Sequence, residues 1–150
     1  MALVAVVMGS KSDTEMVQPA LETLENLDIS YEIFTASAHR QPEKVREFAI
    51  QAEENGFEVI IALAGYAAHL PGVIASWTTL PVIGVPLPTS DLKGFDSLLA
   101  AVQMPSGVPV AVVAIGGARN AAFLAAEILG LKYEEIRKSY REYRNNMKRG

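Results

Sequence analysis

The sequence has no cysteine among its 150 residues, and this absence excludes several kinds of protein. A chain without thiols forms no disulfide scaffold and no thiolate zinc or iron–sulfur site, and it carries no cysteine nucleophile. A domain of this length buries roughly two thirds of the surface of its unfolded chain, so its core needs no such support. The absence also fits a reducing compartment, and we expect a cytoplasmic protein.

Long apolar runs and a strong net charge are also missing. The first apolar run, residues 3–8, is too short for a membrane span or a signal peptide. The net charge is −4, and residues 132–150 hold seven basic and three acidic residues, so the remaining body is acidic. We therefore expect no nucleic acid and no membrane among the partners of this domain.

Ligands for metals and fingerprints for nucleotide cofactors are scarce. The chain has two histidines and no clustered carboxylates, whereas most metal sites need three or four protein ligands. It also lacks the G-x-x-x-x-G-K-[ST] loop, the G-x-G-x-x-G fingerprint and the G-x-S-x-G elbow of a serine nucleophile. We expect neither a metal nor a cofactor such as ATP, NAD or FAD.

Five apolar runs of strand length are what the sequence does contain. All but the second are nearly continuous in apolar residues, as strands covered on both faces require, so they predict a parallel sheet. The runs are residues 3–8, 31–35, 59–63, 82–85 and 108–115.

Segments with helical patterns separate these runs. The spacing of Ser12 and Glu15 predicts a capping box that begins a first helix. Pro42 suits the first position of a second helix, and residues 55–56, Asn-Gly, suit its end. The alternation of strands and helices predicts one doubly wound α/β domain over residues 1–150. Further helices are predicted at residues 70–77, 90–102 and 119–129.

The last segment, residues 132–150, predicts an amphipathic helix after the sheet is complete. Its apolar stripe consists of Tyr133, Ile136, Tyr140, Tyr143 and Met147, at spacings of three and four residues. A basic amphipathic helix can bind a membrane or RNA. A stripe rich in tyrosine with acidic residues interspersed instead favours packing on protein, either on its own domain or on a neighbouring subunit.

Polar loops follow the first three predicted strands, at the edge of a parallel sheet where ligands bind. In the first loop, Ser10, Ser12 and Asp13 precede a helix whose N-terminus can hold an anion. The alternative is that Ser12 is only a helix cap and Asp13 a favourable acid in the first turn.

The chain's two histidines lie in the second and third loops. His39 and Arg40 combine a proton carrier with a bidentate clamp for phosphate or carboxylate, although a solvated loop is the alternative. His69 is flanked by Ala68 and Leu70, so it fits either a ligand site or a buried histidine bonded to backbone.

Several longer strings together resemble the PurE family, in the same order and over nearly the whole chain. They are MGSKSD at 8–13, SAHR at 37–40, AAHLPG at 67–72, LPVIGVP at 80–86, DSLLAAVQMPSGVPV at 96–110 and NAAFLAAEILG at 120–130. The resemblance implies a flavodoxin-like three-layer α/β/α sandwich with a five-stranded parallel sheet and an extra C-terminal helix. It also implies a homo-octamer in which that helix, residues 132–150, packs on a neighbouring subunit.

The activity implied by the resemblance belongs to purine biosynthesis. Mutases of the family convert N5-carboxyaminoimidazole ribonucleotide into 4-carboxy-5-aminoimidazole ribonucleotide through a CO2 intermediate, without cofactor or metal. An ATP-dependent synthetase would supply the substrate. A second class carboxylates aminoimidazole ribonucleotide directly and carries SAHK where this chain has SAHR, so the chain is similar to the mutase class. A noncatalytic nucleotide-binding module is the alternative from another class.

The resemblance also implies roles for single residues. Ser10 and Arg40 would bind phosphate, Asp13 the ribose, and His39 would be the acid and base. The 103–105 turn would help to enclose CO2. One departure is Tyr66, which stands where family members commonly have glycine, and which would narrow the pocket if it points inward or contact a subunit if it points outward. The remaining substrate-binding residues implied are Ser12, Ser37, Gly65, Ala68, His69 and Leu70.

Overall fold

A computed structural model describes residues 3–150, which form one sheet with helices on both faces. The strands are β1 (Val4–Met8), β2 (Tyr31–Thr35), β3 (Val59–Ala64), β4 (Val82–Pro86) and β5 (Ala111–Val112). The helices are α1 (Thr14–Asn26), α2 (Pro42–Gln51), α3 (Leu70–Trp77), α4 (Phe95–Val102), α5 (Ala118–Leu129) and α6 (Glu134–Lys148). A short 3-10 turn, Lys11–Asp13, precedes α1.

All strand pairs are parallel, in the order β2-β1-β3-β4-β5. This order is that of the flavodoxin-like doubly wound fold, so the predicted fold class is confirmed. β1 lies between β2 and β3, and the chain reverses its direction of winding there. The loops that leave these three strands therefore meet at one point on the carboxyl edge of the sheet.

The continuous apolar pattern of the central strands follows from burial on both faces. Every residue of β1, β3 and β4 is buried. In β1, Val4 and Val6 pack with α1 and α5, while Ala5 and Val7 face α2 and α3. The edge strand β2 keeps exposed positions, which accounts for its less apolar sequence.

The fifth strand is much shorter than the predicted run of residues 108–115. Only Ala111–Val112 pairs with β4, followed by two further hydrogen bonds, from Val113 N to Gly84 O and from Gly116 N to Pro86 O. Pro109 has no N–H to donate, and residues 114–117 turn into α5. None of residues 108–115 is buried in this chain, so this apolar run marks neither a full-length strand nor a part of the core.

Two predicted helix starts are wrong. The hydroxyl of Ser10, not that of Ser12, forms the cap, because the chain makes the 3-10 turn before α1 begins at Thr14. The fourth helix begins at Phe95 rather than near residue 90, because Lys93 and Gly94 both have positive φ and break the helical path. The predicted start of α2 at Pro42 is confirmed.

The C-terminal helix α6 packs in part on its own domain. Ile136 is buried in the core, and the Phe123 ring of α5 lies 5.6 Å from the Tyr140 ring and 4.5 Å from the Tyr143 ring. Just before α6, Lys132 forms an ion pair with Glu58, which precedes β3. Further along the stripe Tyr143 and Met147 are exposed.

Within residues 3–150, no helix combines the length and apolar character needed to cross a membrane.

Candidate active site

A pocket of about 410 Å³ opens where the loops after β1, β2 and β3 converge. Ten of the residues that the sequence and the resemblance single out for the site line this pocket: Ser10, Ser12, Asp13, Ser37, His39, Arg40, Gly65, Ala68, His69 and Leu70. Thr89, from the loop after β4, also lines it and was missed. The 103–105 turn does not line it, because Met104 lies beside Gly72 on α3.

The first loop contributes hydroxyls and a buried carboxyl. The Ser10 hydroxyl accepts hydrogen bonds from the Ser12 backbone N–H at 3.3 Å and from the Ser12 hydroxyl at 3.0 Å. Asp13 is only 8% exposed and makes no capping hydrogen bond to α1 with its side chain. Burial raises its pKa, although a hydrogen bond with the Ser10 backbone opposes this shift. A partly desolvated carboxyl of this kind is a strong acceptor for ligand hydroxyls.

The second loop is held by local hydrogen bonds that leave its functional side chains exposed. The Arg40 backbone N–H donates to the Ser37 hydroxyl at 3.2 Å, and the Gln41 N–H donates to the Ser37 carbonyl at 2.8 Å. His39 and Arg40 are both exposed at the pocket. Among the described residues 3–150, Arg40 forms no ion pair, so its guanidinium is available to an anion.

The third loop turns sharply before α3. Tyr66 has a φ of 52°, and the loop continues through hydrogen bonds from Ala68 N to Tyr66 O at 2.9 Å and from His69 N to Ala67 O at 2.6 Å. Gly65 is required by close packing, because a Cβ at this position would lie 1.8 Å from the Thr89 hydroxyl oxygen. The loop is thereby pressed against the loop that follows β4.

The two histidines face each other across the pocket. Nε2 of His39 lies 2.6 Å from Nδ1 of His69, with the rings nearly perpendicular at 83°. In such a hydrogen bond one nitrogen donates and the other accepts, so at least one ring is neutral. His69 is exposed, so the interpretation of it as a buried histidine bonded to backbone is wrong. The two rings meet because β2 and β3, whose following loops carry them, both lie beside β1. The pair can pass a proton between its rings.

Within the described part of the chain, no group of three or more His, Cys, Asp or Glu side chains is placed to hold a metal ion.

Comparisons with known proteins give concordant results. The family model of AIR carboxylase matches residues 3–150. N5-carboxyaminoimidazole ribonucleotide mutase of Thermotoga maritima is 58% identical over 149 residues, covering 99% of this chain and 87% of that protein. The mutase of the same name from Escherichia coli K12 is 52% identical, covering 95% of this chain and 86% of that protein.

A solved structure agrees in fold over the same length. The crystal structure of Treponema denticola PurE superposes with a TM-score of 0.89 at 29% sequence identity, covering 99% of this chain and 93% of that one. The family match, the identity to curated relatives and the shared fold all extend over essentially the whole chain. This chain therefore belongs to the AIR carboxylase family, also called the PurE family.

Proposed function

We propose that this protein converts N5-carboxyaminoimidazole ribonucleotide into 4-carboxy-5-aminoimidazole ribonucleotide in purine biosynthesis. Relatives that are 52–58% identical to this chain are named N5-carboxyaminoimidazole ribonucleotide mutase. The observation that carries the proposal is the pair of imidazoles, 2.6 Å apart, in a pocket that also presents an unpaired guanidinium. The reaction needs both features, a proton carrier and an anion-binding group, within reach of one ligand.

The pocket offers each part of the ribonucleotide a group of suitable chemistry. We assign the phosphate to Arg40 and the Ser10 hydroxyl, because a guanidinium and hydroxyl donors suit a doubly charged anion. We assign the ribose hydroxyls to the buried Asp13 carboxyl. A volume of about 410 Å³ is in the range of pockets that hold ligands of this size. The hydroxyls of Ser12 and Ser37, the imidazole of His69 and the wall formed by Gly65, Ala68 and Leu70 complete the contacts.

His39 serves as the acid and base in this scheme. When the bond between N5 and the carboxylate breaks, its electron pair stays on the nitrogen, which takes up a proton as CO2 leaves. C4 then attacks CO2 to form the new carbon–carbon bond, and the proton on C4 leaves to the imidazole. The exchange has no net change in protons, so a pair of rings that donates and accepts in turn is sufficient. Holding both fragments in one pocket raises their effective concentration.

The scheme involves no oxidation and no hydrolysis, so we assign it neither a metal nor an organic cofactor. The N-carboxylate of the substrate is a labile group whose formation requires an energy source. We therefore propose an ATP-dependent synthetase as the supplier of the substrate. A phosphorylated intermediate does not cross membranes freely, and we place the reaction in the cytoplasm.

We further propose that the protein acts as a homo-octamer. Phe95, Leu99 and Val102 lie at successive turns of α4 and are exposed together with Leu92. An apolar stripe of this kind supports contact with a second copy of the chain. The exposed end of the α6 stripe supports packing of that helix on a neighbouring subunit. Light scattering at micromolar concentration tests the assembly, and a monomer would contradict it.

The experiment that tests the activity compares two substrates without metal. Purified protein is incubated with N5-carboxyaminoimidazole ribonucleotide at low bicarbonate, and separately with aminoimidazole ribonucleotide plus bicarbonate, and the C4-carboxylated product is followed by chromatography. We expect conversion of the first substrate. Turnover of the second alone, scaling with dissolved CO2, would assign the protein to direct carboxylation. Binding of both ribonucleotides without turnover would make it a noncatalytic module.

A further inference from the structure

Tyr66 combines three properties that set it apart in the pocket wall. Its φ of 52° lies in the left-handed region, where a residue with a bulky side chain is strained. Its side chain is 63% exposed, so packing against the protein does not offset that strain. It nevertheless lines the pocket. Among the described residues that line the pocket, it is the only Phe, Tyr or Trp, and the other rings are the imidazoles of His39 and His69.

The backbone that carries this ring is fixed. The preceding residue, Gly65, is packed against Thr89, and Ala68 two positions further on is buried. The Tyr66 carbonyl accepts the Ala68 N–H at 2.9 Å. The loop therefore cannot slide along the pocket, and the ring can move only by rotation of its own side chain. A large side chain on a fixed base at the pocket mouth is suited to covering a ligand.

The rest of this loop is too small to do this. Apart from Tyr66, the loop segment 64–68 consists of alanine and glycine. Arg40 and Asp13 can hold a ribonucleotide by charge and hydrogen bonds, but CO2 is small, neutral and weakly bound by either kind of contact. Only enclosure retains such a fragment.

We propose that Tyr66 is a positioning residue that covers the base of the bound ribonucleotide and slows the escape of CO2 during turnover. The proposal rests on the mutase activity put forward above. The ring acts by excluding solvent and blocking the exit, so its aromatic area matters and its hydroxyl does not. Its effect falls on the partition of CO2 between recapture by C4 and loss to solvent.

The test measures this partition directly. Unlabelled N5-carboxyaminoimidazole ribonucleotide is converted in ¹³C-bicarbonate, with carbonic anhydrase present and a sample without protein as background. Mass spectrometry gives the labelled fraction of the product, and chromatography gives the aminoimidazole ribonucleotide released. In Tyr66→Gly we expect both quantities to rise about tenfold over the unsubstituted protein, because the exit is open. In Tyr66→Phe we expect the labelled fraction to stay low.

Asp28→Gly is the matched control for relief of backbone strain. Asp28 has a φ of 56° and is exposed in the turn before β2, at the opposite edge of the sheet. We expect the control to leave the labelled fraction unchanged. Glycine suits the backbone at both positions, so the thermal midpoints of both variants should be no lower than that of the parent.

Three outcomes would overturn the proposal in different ways. Equal labelling in Tyr66→Gly and the parent, with turnover intact, would refute the role of Tyr66 alone. An equal rise in Asp28→Gly would attribute the effect to backbone strain. No turnover in the unsubstituted protein would refute the mutase activity and the role of Tyr66 with it.

Discussion

Replacing Gly65 by alanine should damage both the stability of the domain and the geometry of the pocket. The added Cβ would lie 1.8 Å from the Thr89 hydroxyl oxygen and 3.1 Å from the Thr89 Cβ, whereas real Cβ contacts under 3.0 Å are essentially never seen. The loops after β3 and β4 must therefore separate by about 1 Å, or Thr89 must leave its rotamer.

The size of the effect follows from this overlap. Overpacking of this kind destabilises by about 1–3 kcal/mol, which lowers the thermal midpoint of a domain of this size by about 2–12 °C. Because His69 lies on the displaced loop, a shift of about 1 Å should also reduce kcat/KM by about 100-fold. Calorimetry measures the first effect and the isomerisation assay the second.

Two variants identify the clash as the cause. Gly65→Ala combined with Thr89→Ala removes the overlapping oxygen and should recover most of the lost stability. Gly9→Ala is the control, because a Cβ there has no heavy atom within 4 Å, and its thermal midpoint should not fall. An unchanged midpoint and unchanged activity in Gly65→Ala would show that Thr89 rotates freely, and a double variant no better than the single one would place the damage elsewhere.

Three further predictions concern protons and charges. His39→Asn should reduce kcat by about 100-fold to 10,000-fold while calorimetry still detects ribonucleotide binding; surviving turnover would remove His39 from its role. Asp13→Asn should weaken ribonucleotide binding but stabilise the free protein in thermal melts. Burial raises the Asp13 pKa above 3.8, so the parent loses stability as pH rises from 3.8 through the folded-state value. The advantage of the variant should therefore grow over this acidic range and level off above it, and a constant difference across the range would contradict the reasoning. Lys132→Met should lower the free energy of unfolding near neutral pH. Burial by itself would raise the pKa of Glu58, but hydrogen bonds from Lys132 and Tyr133 outweigh this effect and lower the Glu58 pKa below 4.5. The stabilisation from this ion pair is present above pH 4.5 and is lost as pH falls through the folded-state pKa of Glu58. The thermal midpoints of the parent and of Lys132→Met should therefore converge in acid.

The central strands were predictable because burial of β1, β3 and β4 on both faces leaves a direct mark on the sequence. The starts of β2, β3 and β4 match their apolar runs, and α3 covers the predicted residues 70–77. The shortened β5 was not predictable from hydropathy. Residues 108–115 are apolar, yet none of them is buried in this chain, and Pro109 and the turn at residues 114–117 limit their hydrogen bonding. The capping box of Ser12 and Glu15 was a wrong prediction because a 3-10 turn capped by Ser10 precedes α1, and residue types alone do not reveal that turn.

The pocket was predictable as a set of residues, but its geometry was not. The rule that ligands lie at the carboxyl edge of a parallel sheet selected the loops after β1, β2 and β3. Applied to β4 as well, it would have found Thr89. His39 and His69 are 30 residues apart in the sequence, and this separation does not predict a contact between them. They meet because β2 and β3 both lie beside β1, and this strand order is a property of the fold.

The distribution of the pocket along the chain has a consequence for how such proteins diversify. Every residue that lines the pocket lies between Gly9 and Thr89, and in the described chain the segment from residue 90 onward contributes none. That later segment supplies α5, whose alanines complete the core against α1. Consider a chimera of two family members joined in the turn at residues 90–94. Its ligand preference should follow the parent that supplies the N-terminal segment, and its thermal midpoint should change with the parent that supplies the C-terminal segment. Recombination at this point would let the two properties evolve separately.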